Sequence, residues 1–282
     1  VPEPNLYILG PPRTATTSLA RWLGETSAIR TSRPKEPGYH IHDRQYDDRV
    51  ADLAEYLALY ASDDPNEIYG CDATPWYLST PGAERSIAEL CPEARLIVTL
   101  RHPADMLASL HAYHRFRGVE AEPDIETALF GPRPRLPGDF RRSVDYLEVA
   151  RVGRHLERYA SFFALEQVYI LDFEKLAGEP EVVLRDLLEW LGIDRPADMG
   201  FMHVNRTRYL RVPALRRPLD RIISGSRWQP LRLVAGKLRA LNTVRIKPSM
   251  PAAVRSRILD ELADDIELLG KLTGRDLMAR WT

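Results

Sequence analysis

Between residues 10 and 18 the chain reads Gly-Pro-Pro-Arg-Thr-Ala-Thr-Thr-Ser, which sets one permanent cation, Arg13, among the hydroxyls of Thr14, Thr16, Thr17 and Ser18. The apolar residues Leu6, Ile8 and Leu9 precede this stretch, and Gly10-Pro11-Pro12 stops their run. The pattern predicts a buried strand over 5–9, a tight loop, and a helix opening near Thr17. The first N–H groups of a helix have no intrahelical acceptor, and the helix dipole favours negative charge there. The N–H groups of Thr14, Ala15, Thr16 and Thr17, the nearby hydroxyls and the Arg13 guanidinium therefore make an anion cradle suited to phosphate or a phosphate-like group. A triphosphate loop of the form G-x-x-x-x-G-K-[ST] would need Gly, Lys and Ser/Thr where this chain has Ala15, Thr16 and Thr17. The lysine is missing and the cation sits three residues earlier, which argues against the rival reading, a nucleotide-dependent kinase.

A second cationic element follows about ninety residues on. Residues 94–100 form a short β-branched run suited to a central strand, ending in Arg101-His102-Pro103. Pro103 fits the first turn of the helix expected to reach about residue 116, because its missing N–H would have no partner there. Arg101 at the strand end and Ser109 two turns along are spaced to reach one phosphate.

The two elements together resemble the PAPS-dependent sulfotransferases, which use 3′-phosphoadenosine 5′-phosphosulfate. The first loop is similar to their 5′-phosphosulfate loop, and Arg101-x-Pro103 with Ser109 to their 3′-phosphate motif R-x-P-x-x-x-x-x-S. Lys35-Glu36 with Tyr39 resembles the K-E-x-x-[FY] segment of the carbohydrate-modifying and bacterial branches. Thr74-Pro75-x-Tyr77 resembles their acceptor-side loop, and residues 168–192 the Y-E-D-L-x-x-x-P element. The resemblance covers residues 5–192 most strongly.

It implies that PAPS is the co-substrate, leaving as 3′,5′-adenosine bisphosphate (PAP), and that a hydroxyl-bearing acceptor is sulfated. Arg13 then stabilises charge on the leaving side. The family more often has Lys here, and Arg is a poor proton donor, so proton donation to the leaving oxygen is not assigned to it. Glu36 is the implied base, with His40 and Asp72 as second choices, and Lys35 holds the transferring sulfonate or the bridging oxygen. Lys35, His40, Thr74, Trp76 and Tyr77 are the expected acceptor-side residues. Arg101 and Ser109 hold the 3′-phosphate, with Arg206 and Arg208 as a second clamp that departs from the family's usual G-R-K-like loop.

Composition bounds the remainder. The chain has 282 residues, 44% hydrophobic, and a net charge of −1, enough for a substantial core and uninformative about partners. The charge is uneven, with twelve Lys or Arg between Arg206 and Lys247 against a single acid, Asp220. Ile222, Ile223, Trp228, Leu231, Leu233 and Val234 interleave with these cations. The segment is expected to cover the anionic donor, meet an anionic acceptor or lie on a lipid surface. A non-enzymatic nucleic-acid or anion binder built on this stretch is a further rival, but it leaves the first loop unexplained. No run approaches the roughly 18 apolar residues of a membrane span. Val1-Pro-Glu-Pro does not read as a signal peptide, and Cys71 and Cys91 read as small buried hydrophobes of a reducing compartment, so a cytoplasmic, membrane-peripheral location is expected. His40-x-His42 and His111-x-x-His114 lack the companion ligands of a zinc site, so no metal is expected.

Helical spacing is expected over 17–23, 48–60, 81–90 and 143–163, with strands over 29–31, 68–71 and 168–172. Residues 118–139, rich in Pro, Gly and Glu, read as a long acceptor lid. Strands alternating with helices imply right-handed crossovers and a P-loop-like three-layer α/β fold with a central parallel sheet. One domain over 1–282 is expected, its core at 5–192, with a basic and mostly helical part from 193 onward.

Overall fold

The computed structural model describes residues 3–42, 49–132, 145–194, 208–210, 218, 221–223, 228–245, 248 and 250–281. Five strands, β1 (Pro4–Gly10), β2 (Ile29–Thr31), β3 (Tyr69–Asp72), β4 (Arg95–Leu100) and β5 (Val168–Asp172), form one sheet in the order β2-β3-β1-β4-β5. Every pairing in it is parallel. A strand side chain points to alternate faces, and both faces of β1 are buried. Leu6 and Ile8 join one apolar layer, whereas Tyr7 and Leu9 join the other. The helices α1 (Thr16–Leu23), α8 (Phe173–Gly178) and α9 (Pro180–Leu191) cover the first layer. The second is covered by α3 (Ala83–Leu90), α4 (Pro103–Arg117), α6 (Tyr146–Ala150), α7 (Val152–Ala160) and the later helices α11 (Ala252–Glu261) and α12 (Ala263–Thr273). The result is a three-layer α/β fold whose chain leaves β1 towards one layer and β4 towards the other, opening a crevice between their carboxyl ends.

Helix α4 runs through the second layer and is buried on most sides. Pro103 occupies its first turn, His102 Nδ1 accepts the Ala104 N–H at 3.1 Å, and Gly118 closes it with φ 69°. Because Nδ1 accepts, Nε2 of His102 carries the proton and donates to the Trp281 carbonyl at 3.0 Å. That contact belongs to the short terminal helix α13 (Leu277–Trp281), whose Arg280 also pairs with Asp172 at the end of β5. Burial opposes ionisation of Asp172, yet the hydrogen bonds from Arg280 and the Lys175 N–H hold its carboxyl below the ordinary range. Between α9 and α11 lie a small antiparallel pair, β6 (Arg208–Leu210) with β7 (Thr243–Arg245), and the helix α10 (Gln229–Leu241). Strand β6 lies against α4. Among the described residues, no helix is long and apolar enough to cross a membrane. Cys71 is buried, Cys91 half-buried, and neither is bridged.

Three expectations need correction. The helix expected over 48–60 is confined to α2 (Leu53–Ala58), because Asp52 turns extended and caps it by accepting the Glu55 N–H at 2.9 Å. The stretch expected to be a loop over 118–139 contains α5 (Ile125–Phe130), capped by Asp124 at the Thr127 N–H; residues 133–139 lie outside the described part. The long helix expected over 143–163 is broken at Arg151, whose ψ of 61° separates α6 from α7. The break is set by a residue far along the chain. Asp265 accepts the N–H groups of Gly153 and Arg154, both at 2.9 Å, and so caps α7 from α12. The helices approach so closely that a Cβ on Gly153 would lie 2.3 Å from the Asp265 carbonyl oxygen.

Gly153→Ala is therefore expected to destabilise the fold by about 2–3 kcal/mol, since neither backbone can yield without losing the cap. Chemical denaturation of the variant beside Gly178→Ala, a glycine with nothing near its missing Cβ, checks this. Equal midpoints would show that the contact carries no weight.

Candidate active site

The turn after β1 brings the first cationic element into shape. Gly10, at φ 101°, lies under the next loop so closely that a Cβ there would sit 2.4 Å from the Pro75 carbonyl oxygen. Arg13 and Ala15 follow with φ of 71° and 67°, left-handed values uncommon for residues with side chains. Thr14 between them is buried, and its hydroxyl is committed to the Pro11 carbonyl at 2.6 Å and to Thr99 of β4. Ala15 supplies no side-chain cap to α1, so the N-cap residue leaves the first backbone N–H groups of the helix without a side-chain acceptor of its own. Thr16 and Ser18 are buried in the first turn and Thr17 is exposed.

Arg13 and Arg101 meet. Arg101 Nη1 donates to the Arg13 carbonyl oxygen at 2.7 Å, and Arg13 Nε donates to Ser109 Oγ at 3.1 Å. Each guanidinium lies over an aromatic ring, Arg13 over Tyr113 at 4.8 Å and Arg101 over Phe173 at 4.3 Å. Burial pulls the Arg101 pKa below the ordinary arginine value, with Asp105 and Glu174 opposing. Its Nε is buried and has no hydrogen-bond partner among the described residues. A buried, unmatched cationic donor beside a helix start is what an anionic nucleotide would satisfy, so the residues present fit the bis-anionic donor that the sequence implied.

The neighbouring strand β3 delivers the other half of the site. Asp72 is fully buried at its end and accepts four hydrogen bonds: from Thr74 Oγ1 at 2.7 Å, Thr74 N at 3.0 Å, Tyr56 OH at 2.8 Å and Tyr77 OH at 2.9 Å. Burial raises its pKa while these donors oppose the rise. Lys35 and Glu36 form an ion pair, both half-buried, and Lys35 Nζ also donates to the Ala73 carbonyl at 3.3 Å. Glu36 is a third left-handed residue, with φ of 62°.

His40 and Asp72, the alternative bases, are placed in the interior. His40 Nδ1 pairs with Ser86 Oγ at 2.8 Å, and Nε2 faces the hydroxyls of Tyr56 and Tyr7 at 3.4 and 3.5 Å. Burial, with His42 adding to it, lowers its pKa to about 3, so it stays neutral. Among the acceptor-side candidates, Thr74 and Tyr77 are fully buried and bonded to Asp72, and Trp76 is buried with its ring stacked against His114 at 6.2 Å. These side chains shape the loop from within, and Lys35 and Glu36 are the ones that reach solvent. Arg206 lies outside the described residues, and Arg208 is placed only as backbone in β6, paired with Arg245. Among the described residues no cluster of His, Cys, Asp and Glu is gathered to hold a metal.

Sequence reasoning missed Tyr113, Phe173 and Tyr56. Tyr113 was within reach, because it follows Ser109 by four residues on one helix and so shares its face. Phe173 required knowing that β5 lies beside β4. Tyr56 carries no local signal.

The arrangement defines a class: α/β proteins that grip an anionic nucleotide beyond the carboxyl ends of a parallel sheet. Residues 4–197 match the model of the sulfotransferase family, more than half of the 282 residues, and the chain belongs to that family. It is similar over 99% of its length, and 99% of the other chain's, to the crystal structure of a sulfotransferase from Alicyclobacillus acidocaldarius, with a TM-score of 0.72 and 20% identity. It is 26% identical to the heparan sulfate glucosamine 3-O-sulfotransferase 3A1 of Mus musculus over 73% of this chain and 50% of that one. It is 25% identical to the bifunctional heparan sulfate N-deacetylase/N-sulfotransferase 1 of Caenorhabditis briggsae over 67% of this chain and 23% of that one. The chain thus spans half or less of the length of these curated relatives.

The burial of His40 has a consequence for stability. Its folded pKa of about 3 lies below the unfolded value near 6.5, so the unfolded chain binds a proton that the folded chain refuses. Stability is expected to fall as pH drops from 6.5 towards 3, by at most about 1.4 kcal/mol per pH unit from this residue. Replacing His40 by Asn should flatten that part of the stability curve, as measured by urea unfolding at pH 4.5, 5.5 and 7. An unchanged slope would show that His40 titrates normally.

Proposed function

We propose that this protein transfers the sulfuryl group of PAPS to a hydroxyl of a saccharide, glycolipid or lipid-like metabolite. The observation that carries this reading is the meeting of Arg13, Arg101 and Ser109 beside an uncapped helix start, at the ends of two adjacent parallel strands. The names of the heparan sulfate relatives favour a saccharide acceptor.

When bound, PAPS supplies the sulfuryl group and the leaving PAP. The N–H groups of residues 14–17 and the Thr16, Thr17 and Ser18 hydroxyls hold the 5′ side, with Arg13 stabilising the charge that grows there. Arg101 and Ser109 hold the 3′-phosphate, assisted by Arg206 and Arg208. Glu36 takes the proton of the acceptor hydroxyl as the new S–O bond forms and the bond to the 5′-phosphate oxygen breaks. Lys35 holds the sulfonate oxygens. Its ion pair with Glu36 keeps the two side chains side by side in the loop. Thr74, Trp76, Tyr77 and His40 give the acceptor side its shape.

Arg13→Ala and Glu36→Gln are each expected to lower kcat about 10²-fold or more. PAP binding, followed by calorimetry, should weaken in the first variant and survive in the second. Wild-type turnover by Glu36→Gln would remove the base assignment, and unaltered PAP affinity in Arg13→Ala would remove the donor assignment.

The same reading places the protein in the cytoplasm, where its unbridged cysteines suit a reducing compartment, and in peripheral contact with a membrane through residues 206–247. No acidic residue occurs between Asp220 and Asp260. On α10, Leu231, Val234, Leu238 and Leu241 make a stripe at i, i+3, i+7, i+10 spacing and are 37–72% exposed, with Arg232 and Lys237 exposed beside them. Nucleic acid would satisfy the cations and leave the leucines in water, whereas an anionic bilayer satisfies both. Cosedimentation with phosphatidylglycerol vesicles is expected, lost in Leu238→Glu and absent with phosphatidylcholine alone. Equal recovery with both lipids, or with neither, would exclude this contact.

A further inference from the structure

The environment of Asp72 has an order that burial alone does not require. Its carboxylate fixes three side chains, Thr74, Tyr77 and Tyr56. Each of the three supports one of three successive residues in the loop that carries Glu36. Thr74 Oγ1 donates to Asp72 and accepts the Gly38 N–H at 3.3 Å. The Tyr56 ring stacks on Tyr39, centroids 4.4 Å apart and planes within 10°. Tyr77 OH donates to Asp72 and faces the His40 N–H at 3.5 Å. The Ala73 carbonyl, one residue beyond Asp72, accepts from Lys35 itself.

The opposite side of the same loop faces the donor cradle. The Pro75 carbonyl seats against Gly10, and the Leu78 N–H approaches the Leu9 carbonyl at 3.4 Å. Residues 72–78 therefore touch both the turn that holds Arg13 and the loop that holds Glu36.

We infer that Asp72 is a positioning residue that sets the Lys35–Glu36 pair in register with the Arg13 loop, acting through Thr74, Tyr56 and Tyr77. The inference rests on Glu36 as the base only for its catalytic consequence, since the positioning itself is a statement about backbone. A carboxylate suits the role because it offers several lone-pair sites and no proton, so all four donors can point inward together. An amide at the same place must turn its NH₂ towards one pair of donors, whichever way it is flipped. The left-handed Glu36 adds a reason for such support, since a residue held in that conformation needs surroundings that over-determine it.

Hydrogen exchange at the Gly38 and His40 amides tests this directly, without reference to turnover. In Thr74→Val and Asp72→Asn those amides are expected to exchange at least about tenfold faster, while amides of β1 and β4 keep wild-type protection. Thr74→Ser, which keeps the hydroxyl, should restore slow exchange. Turnover normalised to PAP-binding stoichiometry should fall about tenfold or more in the first two variants, with the Kd for PAP unchanged and turnover, like slow exchange, regained in Thr74→Ser. Should Asp72→Asn fail to fold, Tyr56→Phe and Thr74→Val carry the comparison. Uniform loosening of the whole sheet, or unchanged exchange at 38 and 40, would overturn the inference. Wild-type turnover in Glu36→Gln alongside fast exchange in Thr74→Val would overturn the base and leave the positioning standing.

Discussion

One hydrogen bond ties the site together: the Arg101 guanidinium at the end of β4 holds the main-chain oxygen of Arg13 in the loop after β1. It joins neighbouring strands whose helices leave for opposite layers, so the crevice between them has a fixed width. A buried guanidinium is tolerated because it lies on the Phe173 ring and finds a carbonyl, leaving Nε for something else. Arg13 is left-handed and directs its side chain to Ser109 and Tyr113 on α4. The groups proposed for the two ends of the donor already touch one another. Little reorganisation of the protein remains when such a ligand arrives.

Much of this was legible in the chain, and the reasons are local. The apolar run before Gly10, the β-branched run before Arg101 and the Pro103 start are signals carried by adjacent residues, and the parallel sheet follows from their alternation with helices. Ser109 was singled out by its spacing from Arg101, and the structure bonds it to Arg13. The illegible parts involve partners distant in sequence. Arg151 breaks a helix because Asp265 caps the next one from more than a hundred residues away. Tyr77 was expected beside the acceptor because of its motif, yet its hydroxyl faces inward to Asp72. His40 carried the attraction of any histidine near a carboxylate, and only its burial among tyrosines shows it to be neutral.

The two halves of the site differ in how they are stabilised. The half around Arg13 and Arg101 consists of cations and backbone donors whose mutual repulsion is offset by aromatic rings and carbonyls. The half around Asp72 is a buried carboxylate ringed by hydroxyls, with a half-buried Lys–Glu pair nearby. Around Asp72, burial raises the carboxyl pKa and lowers that of the His40 imidazole, so that half of the site is sensitive to acid.

Arg13, Ala15 and Glu36 share a backbone region that side chains enter at a penalty of roughly 1 kcal/mol or more apiece, and none of the three is glycine. Heat tolerance would be easiest to gain here by introducing glycine, especially at Ala15, which contributes no polar side chain. The greater freedom of an unfolded chain bearing that glycine would cancel part of the benefit. A more robust protein with a floppier grip is the foreseeable outcome, so selection for endurance and selection for speed would pull these positions in opposite directions.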